Sequence, residues 1–436
     1  MQDVQQIRNV VVLGHGNSGK SSLAEALLFT AGSLKRLGKV DDGTSSMDFE
    51  PEEIKRKISI ATAFNHLSWK KNDVYLIDTP GDDNFFNETR FAAQVADSAV
   101  FTVGAVLGVR PQTEKFVDLV KEHNLSCLIC VTKMDRERAD FQKTVDGIRE
   151  STGLNPVVLY LPIGAEDSFR GVVDIVAGKA LLFAEGGKVS VAEIPADLAD
   201  EAQSLRENLM EYVAETQDEL LEKFLEEGEL TDEELTTGLA AAVRSGQIAP
   251  VCACASLTNL GSAVILDAIV GLLPSPDQRP ARVGTNPKTG DMVERPGTAD
   301  APFSALVFKT MADPFAGRLT IFRVFSGTLK GDTFYNATKE TAERFGQLFI
   351  MAGKEQKPVD EAVPGMVVAV AKLKETTTGD TLCVENNPVV YEAVQPLPTV
   401  IAYAVSAKKG DEEKLFSSIT RLLDEDLTLK LTREQQ

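Results

Sequence analysis

The chain has 436 residues, and at about 150 residues per domain that length accommodates roughly three domains, each with a core of its own. Hydrophobic residues make up 43% and charged residues 25%, an ordinary globular composition that excludes wholesale disorder, a collagen-like repeat and a long coiled coil. A formal net charge of −20 excludes a surface that grips nucleic acid throughout, because phosphate contacts need Lys and Arg; local basic patches stay open.

No run approaches the ~20 apolar residues that cross a bilayer. The N-terminus, MQDVQQIRNVVVLGHG, has no basic segment followed by an apolar stretch and a cleavage site. The reading is a soluble, cytoplasmic protein with no membrane partner. The five cysteines, at positions 127, 130, 252, 254 and 383, are too few and too irregular for a disulfide framework. Cys127 and Cys130 form a C-x-x-C inside the apolar run CLICV, where side chains three apart point to opposite faces of a strand, so the pair reads as core.

Over the first 140 residues, strand-like runs at Val10 to Leu13, Val74 to Ile77, Val100 to Val103 and Leu128 to Val131 alternate with amphipathic stretches such as SSLAEALLFTAG and QTEKFVDLVKEH. That order predicts a parallel sheet covered by helices. Val157 to Leu161 continues the sheet, and the character changes at about residue 163. From Glu193 to Gly246 the chain is acidic and helical, which suggests an inserted subdomain. APVCACAS resumes the sheet, and the helix AVILDAIVGLLPSP is closed by Pro274 and Pro276. Residues 277–300 are rich in Pro, Gly and polar residues and read as a linker. From residue 301, short alternating runs punctuated by Gly, Asp and Pro predict a small barrel. A second linker at Asn386 to Pro398 leads to one expected strand, TVIAYAVSA, and one helix, EEKLFSSITRLLDED.

The motif GHGNSGKS, Gly14 to Ser21, satisfies G-x-x-x-x-G-K-[ST] directly after a strand and before a helix. Its glycines let backbone amides approach phosphate oxygens, the helix N-terminus adds positive potential, Lys20 neutralises terminal phosphates and Ser21 reaches Mg²⁺. Thr132-Lys133-Met134-Asp135 follows a later strand, and a fixed carboxylate at Asp135 accepts from the paired N–H donors of guanine, which adenine lacks. Between them lies Asp78-Thr79-Pro80-Gly81, where the carboxylate holds Mg²⁺ through water and the Gly81 amide senses a γ-phosphate. Three motifs in order on strand ends predict a GTP- and GDP-binding domain that uses Mg²⁺.

With these motifs in place, the chain resembles the translational GTPases, and among them elongation factor G and its relatives. The likeness runs through DFEPEEIKRKISI, IDTPGDDNF, VTKMDRERADF and ASLTNLGSAVILDAIVGLLPSP into ALVFKTMADPFAGRLTIFRVFSGTLKGD and PVDEAVPGMVVAVAKLKETTTGDTL. It implies an α/β P-loop GTPase domain at 1–276 with an inserted α+β subdomain at about 163–248, the linker 277–300 and an antiparallel β-barrel domain at 301–387. A partial ferredoxin-like βα unit follows at 396–436; family members continue beyond it, so translocation by this stretch alone is not expected. The resemblance places the phosphates on Gly14, His15, Gly16, Asn17, Ser18, Gly19, Lys20, Ser21 and Ser22, and guanine on Thr132, Lys133, Asp135, Ala255, Ser256 and Leu257. Metal ligation falls to Ser21, Ser59 and Asp78, and the catalytic group to Lys20, Gly81 and Asp82.

Several positions depart from the family pattern: Ser59 stands at a threonine position and Ala255-Ser256 reverses the family's serine-alanine order. Asn17 replaces an aspartate and Lys57 a glycine, and Asp82 stands where a histidine usually orients the attacking water. A carboxylate cannot donate a hydrogen bond and is repelled by a phosphate gaining charge. The implied function is a ribosome-associated GTPase, with a slow or non-hydrolysing GTP-dependent regulator as the alternative. Implied partners are ribosomal RNA, met by barrel positions such as Lys330 or Arg318, and a ribosomal stalk protein met by the acidic insert; a monomer is expected. Reversing Glu219, Glu222 and Glu226 together is expected to weaken stalk-protein binding, and unchanged affinity in a titration would mark that face as solvation alone.

Overall fold

The computed structural model describes residues 2–313, 317–399, 401–408 and 410–432. The chain divides into one compact unit at Gln6–Ser275 and a second from Pro276 onward, joined by the first five residues.

In chain order the first unit begins with β1 (Ile7–Leu13), α1 (Lys20–Thr30), α2 (Pro51–Arg56), β2 (Ala63–Trp69), β3 (Asn72–Asp78) and α3 (Phe86–Gln94). It continues with β4 (Ser98–Gly104), α4 (Pro111–Glu122), β5 (Ser126–Thr132), α5 (Phe141–Thr152) and β6 (Pro156–Val158). A four-stranded antiparallel sheet follows, made of β7 (Tyr160–Ile163), β8 (Gly171–Asp174), β9 (Lys179–Phe183) and β10 (Val189–Ala192). Then come α6 (Ala199–Ala214), α7 (Asp218–Glu227), α8 (Asp232–Arg244), β11 (Ala249–Ala253) and α9 (Ser262–Leu272).

The main sheet runs β2-β3-β1-β4-β5-β11-β6. All neighbours are parallel except the β2–β3 hairpin. Every residue of β1, β4 and β5 is buried, because helices cover the sheet: α1 and α8 pack on α9, while α3, α4 and α5 pack in series. Double coverage explains why these strands read as continuous apolar runs rather than alternating ones. Cys130 and Cys252 are register partners within that core, and burial pushes both thiols well above their ordinary range. All five cysteines are buried and free, which agrees with a core role for the C-x-x-C.

The run Val157 to Leu161 is not one strand. It breaks at Leu159, so that Pro156–Val158 pairs in the main sheet while Tyr160–Ile163 opens the second one. A single apolar run serves both sheets because both of its ends are buried, and periodicity carries no mark of the change of partner. In the inserted region, α8 starts with a capping box in which Glu234 Oε2 accepts the Thr231 N–H at 2.9 Å. No residue of α7 is buried, and its Leu225 is 76% exposed.

The second unit is an eight-stranded antiparallel sheet preceded by a hairpin. That hairpin, β12 (Arg282–Thr285) with β13 (Met292–Arg295), lies in the stretch expected to be a linker. The turn residues of TNPKTGD close the hairpin, which is why composition alone reads as a connector. The long pair β14 (Ser304–Asp313) and β15 (Gly317–Ser326) anchors the sheet, and Val367–Ala371 and Thr381–Cys383 pair along its two sides. Helix α10 (Glu412–Glu425) forms as expected.

The expected strand at TVIAYAVSA does not form among its described residues; Val400 lies outside them. Ile401, Tyr403 and Val405 are 68%, 80% and 63% exposed. They keep the period-two alternation of a strand, yet no neighbour offers a hydrogen-bonding ladder, and alternation without a partner does not make a strand. Lys330 pairs with Glu361 at 3.2 Å, and the Arg318 guanidinium donates to the Thr376 carbonyl, so neither basic position is an uncommitted cation. No helix among the described residues is long and apolar enough to cross a membrane.

Candidate nucleotide-binding site

The strand ends of β1, β3, β4, β5 and β11 converge on a cavity of about 620 Å³ whose lining lies entirely within the first unit. Chain direction makes this inevitable: parallel strands deliver their following loops to the same sheet edge.

At one end, Gly14 leaves β1 at φ 146° in a space where a Cβ would lie 2.5 Å from the Thr102 carbonyl oxygen and 2.7 Å from Ser18 Oγ. Only glycine fits there. Ser18 Oγ lies 2.7 Å from Thr102 Oγ1, and the Ser18 N–H donates to the His15 carbonyl at 3.1 Å. Asn17 takes the left-handed conformation, φ 62°, which asparagine tolerates well. Helix α1 then starts with Gly19 as an N-cap that supplies no side-chain acceptor. Its first-turn N–H groups therefore face the cavity as ready donors for an anion. The Lys20 ammonium, 5% exposed, donates to the His15 carbonyl at 3.1 Å.

Around Lys20 the structure buries a cluster of oxygens. Ser21 Oγ lies 3.0 Å from Ser59 Oγ. Asp48 bonds both hydroxyls, and Asp78 bonds Ser21. Burial pushes the Asp78 carboxyl up to about 7, reinforced by the charge of Asp48 and opposed by Ser21 and Lys20. Burial likewise raises Asp48 to about 6, against hydrogen bonds from Ser59 and Ser21. Burial lowers Lys20 to about 8 despite the two carboxylates. Asp78 Oδ1 and Asp48 Oδ2 are buried with no hydrogen-bond partner. Two orphaned carboxylate oxygens beside two hydroxyls form a hard, all-oxygen donor set suited to Mg²⁺. Among the described residues no three His, Cys, Asp or Glu side chains cluster to hold a metal on their own, so the ion would depend on the hydroxyls and on phosphate oxygens as well.

Asp48 carries no signal in motif spacing, and sequence reasoning passed over it. Two buried carboxylates position it and its neighbours. Glu25 on α1, fully buried, accepts from Ser45 Oγ at 3.0 Å, Ser46 Oγ at 2.7 Å and the Met47 N–H at 3.1 Å. Glu53 on α2 accepts from the Glu50 N–H at 3.0 Å, the Ile60 N–H at 2.9 Å and the Ala61 N–H at 3.1 Å. Ser59 thus faces Ser21 because the residues after it are pinned.

The Gly81 segment closes on the phosphate loop: a Cβ at Gly81 would meet Lys20 Nζ and lie 2.7 Å from the Gly16 nitrogen. Asp82 follows, and its Oδ1 accepts from the Asn84 N–H at 2.9 Å and from Asn84 Nδ2 at 2.8 Å, capping a short turn. That local task gives the carboxylate a structural reason to be present. His15 Nδ1 lies 2.7 Å from the Gly16 carbonyl, which makes it the protonated nitrogen. Burial lowers the His15 pKa, and its Nε2 is buried without a partner.

At the other end, Thr132 Oγ1 donates to the Ser18 carbonyl and packs against Gly19, tying the base loop to the phosphate loop. The Met134 N–H donates to the Cys254 carbonyl at 3.2 Å, which sets Asp135 opposite Ser256 and Leu257. The Ala255 N–H is committed to the Leu260 carbonyl at 2.9 Å. Of the predicted pair, that leaves Ser256 to offer an amide to a base. Of the predicted residues, Gly16, Asn17, Gly19, Lys20, Ser21, Ser22, Ser59, Gly81, Asp82, Thr132, Lys133, Asp135, Ser256 and Leu257 line the cavity. Gly14, His15, Ser18, Asp78 and Ala255 stand behind that lining and shape it.

A family model for the elongation factor Tu GTP binding domain matches residues 5–275. The chain belongs to that family. A second model, elongation factor G domain 2, matches residues 302–385. The GTPase domain is therefore followed by an antiparallel β-sheet domain of the elongation factor G type. A crystal structure of a protein from Thermus thermophilus is similar at 32% identity and a TM-score of 0.87, covering 99% of this chain. The chain spans 62% of the length of that protein.

Replacing Glu53 with Ala strips acceptors from three backbone amides, at about 1–3 kcal/mol for groups left unsatisfied. Tryptic cleavage after Arg56 and Lys57 is expected to accelerate several-fold in Glu53→Ala; an unchanged rate would show that other contacts hold the loop.

Proposed function

We propose that this chain binds GTP and GDP and couples GTP hydrolysis to a ribosome-associated step, as a translation factor of the elongation factor G type. The observation that carries this reading is the single cavity in which a phosphate-loop helix N-terminus, buried Lys20 and the orphaned carboxylate oxygens of Asp78 and Asp48 stand at one end and Asp135 at the other.

Lys20 and the first-turn amides of α1 hold the phosphates, and the Asp135 carboxylate accepts from the guanine N–H pair. Ser21 and Ser59, with Asp78 and Asp48 behind them, would hold Mg²⁺, which when bound neutralises charge developing on the phosphate oxygens. Gly81 offers its amide where a terminal phosphate would arrive. In hydrolysis, water adds to the γ-phosphorus and the bond to the β-phosphate oxygen breaks, giving GDP and inorganic phosphate. Loss of that phosphate removes the contacts that order both the Ser59 loop and the Gly81 segment, which makes them switches. The ribosome, including its RNA and stalk protein, is the proposed partner, and the cytoplasm the proposed location.

Asp82 supports the second reading, a slow or non-hydrolysing regulator. Its carboxylate accepts from Asn84 and cannot donate to an attacking water. Ribosome-stimulated GTP turnover is expected to rise about a hundredfold or more in Asp82→His, the lower end of what a positioned general-base contact contributes. Equal rates would mean that Asp82 does not limit the chemistry.

Calorimetric titration in Mg²⁺ should show binding of GDP and GTP that excess ATP does not displace. Absence of guanine-nucleotide binding, or equal binding of ATP, would refute the nucleotide assignment.

A further inference from the structure

Helix α2 ends at Lys57, which takes the left-handed conformation, φ 57° and ψ 38°, with its N–H donating to the Glu53 carbonyl at 2.7 Å. This is a backbone geometry that favours glycine, and lysine adopts it only when its surroundings fix it. Here Glu53 does so, holding Glu50 before the helix and Ile60 and Ala61 after the turn. Backbone requirements therefore do not explain a lysine at this position; its side chain must.

Lys57, an exposed residue, is among those that line the cavity, as are Ser59, Gly81 and Asp82. The other cations of the lining already face carboxylates or sit at the base end: Lys20 against Asp78 and Asp48, and Lys133 against Asp41 and Asp135, with Arg136 beside it. Among the described residues, no carboxylate lies within ion-pair distance of the Lys57 ammonium. It is thus an uncommitted positive charge among lining residues that include the carboxylates Asp48 and Asp82. A triphosphate tail would add further negative charge there, and a cation carried on the Ser59 loop reaches it only while that loop is closed. A lysine at the end of α2 also complements that helix's dipole, but an exposed helix terminus needs no cavity for that purpose.

We propose that Lys57 is a ligand of the terminal phosphate of a nucleoside triphosphate, so that this chain discriminates triphosphate from diphosphate with a charged group of its own switch loop. The proposal rests on the nucleotide reading of the cavity. It also links two departures from the family pattern, since the added cation at 57 offsets the added anion at 82.

The test is calorimetric titration of the 436-residue chain and its Lys57→Gln and Lys57→Gly variants with GDP and with the non-hydrolysable analogue GMPPNP, in Mg²⁺. Both variants are expected to lose about tenfold in GMPPNP affinity, the effect of one charge-assisted contact, while GDP affinity stays within about twofold. Lys57→Arg should keep the triphosphate preference. An unchanged GMPPNP-to-GDP affinity ratio overturns the proposal, as does an equal loss for both nucleotides. A loss in Lys57→Gln that Lys57→Gly reverses assigns the effect to side-chain bulk and overturns it too. If the unsubstituted chain binds neither nucleotide, the nucleotide reading itself has failed; if it binds both and the ratio is unmoved, the failure belongs to Lys57 alone.

Discussion

The site depends on the burial of one ammonium, Lys20, with two carboxylates, Asp78 and Asp48, in a space largely closed to water. An isolated charge there would be prohibitively costly, and a cluster survives only if each member is held in place and hydrogen-bonded. These three residues come from the start of α1, the end of β3 and the loop before α2, so the cluster forms only once three distant stretches of chain have met. Its opposing shifts, with Lys20 down to about 8 and Asp78 up to about 7, record the same conflict from both sides. Two carboxylate oxygens left without partners show that the protein's own groups do not finish the arrangement.

The rest of the first unit holds that cluster still. The parallel strands bring their loops to one edge, and Thr132 Oγ1 fastens the base loop to the Ser18 carbonyl so that the two halves of the cavity cannot drift apart. Glu25 and Glu53 act in the same way on the segment between them. Each is a buried carboxylate that collects several donors from a loop having no regular structure of its own. A loop held by a few side-chain contacts, rather than by a ladder, can be ordered or released by a small change in ligand, which is what a switch requires.

Much of this is legible in the sequence, for physical reasons that differ by element. β1, β4 and β5 announce themselves because burial on both faces demands an unbroken apolar run, and α1 and α9 because their neighbours are glycine or proline. The phosphate loop is legible because backbone approach to an anion leaves few residue choices, so Gly14, Gly19 and Lys20 recur at fixed spacing. The run at Val157 to Leu161, the hairpin inside residues 277–300 and the unpaired stretch at Ile401 to Val405 were not legible. In each case the deciding fact is which strand, if any, lies alongside, and that lies outside the local pattern.

By itself, the sequence determined the alternation of buried parallel strands and covering helices at the centre of the first unit, the three motifs at strand ends, and the positions at which this chain departs from the family pattern. These are local consequences of burial, backbone freedom and functional-group type. Only the tertiary structure decided that Asp48 joins the oxygen cluster, that the Ala255 amide is already engaged, that Asp82 caps a turn and that Lys57 is among the residues lining the cavity. The first depends on groups tens of residues apart sharing one desolvated space, and the engagements of Ala255 with Leu260 and of Asp82 with Asn84 depend on a backbone path that no periodicity or spacing along a chain encodes.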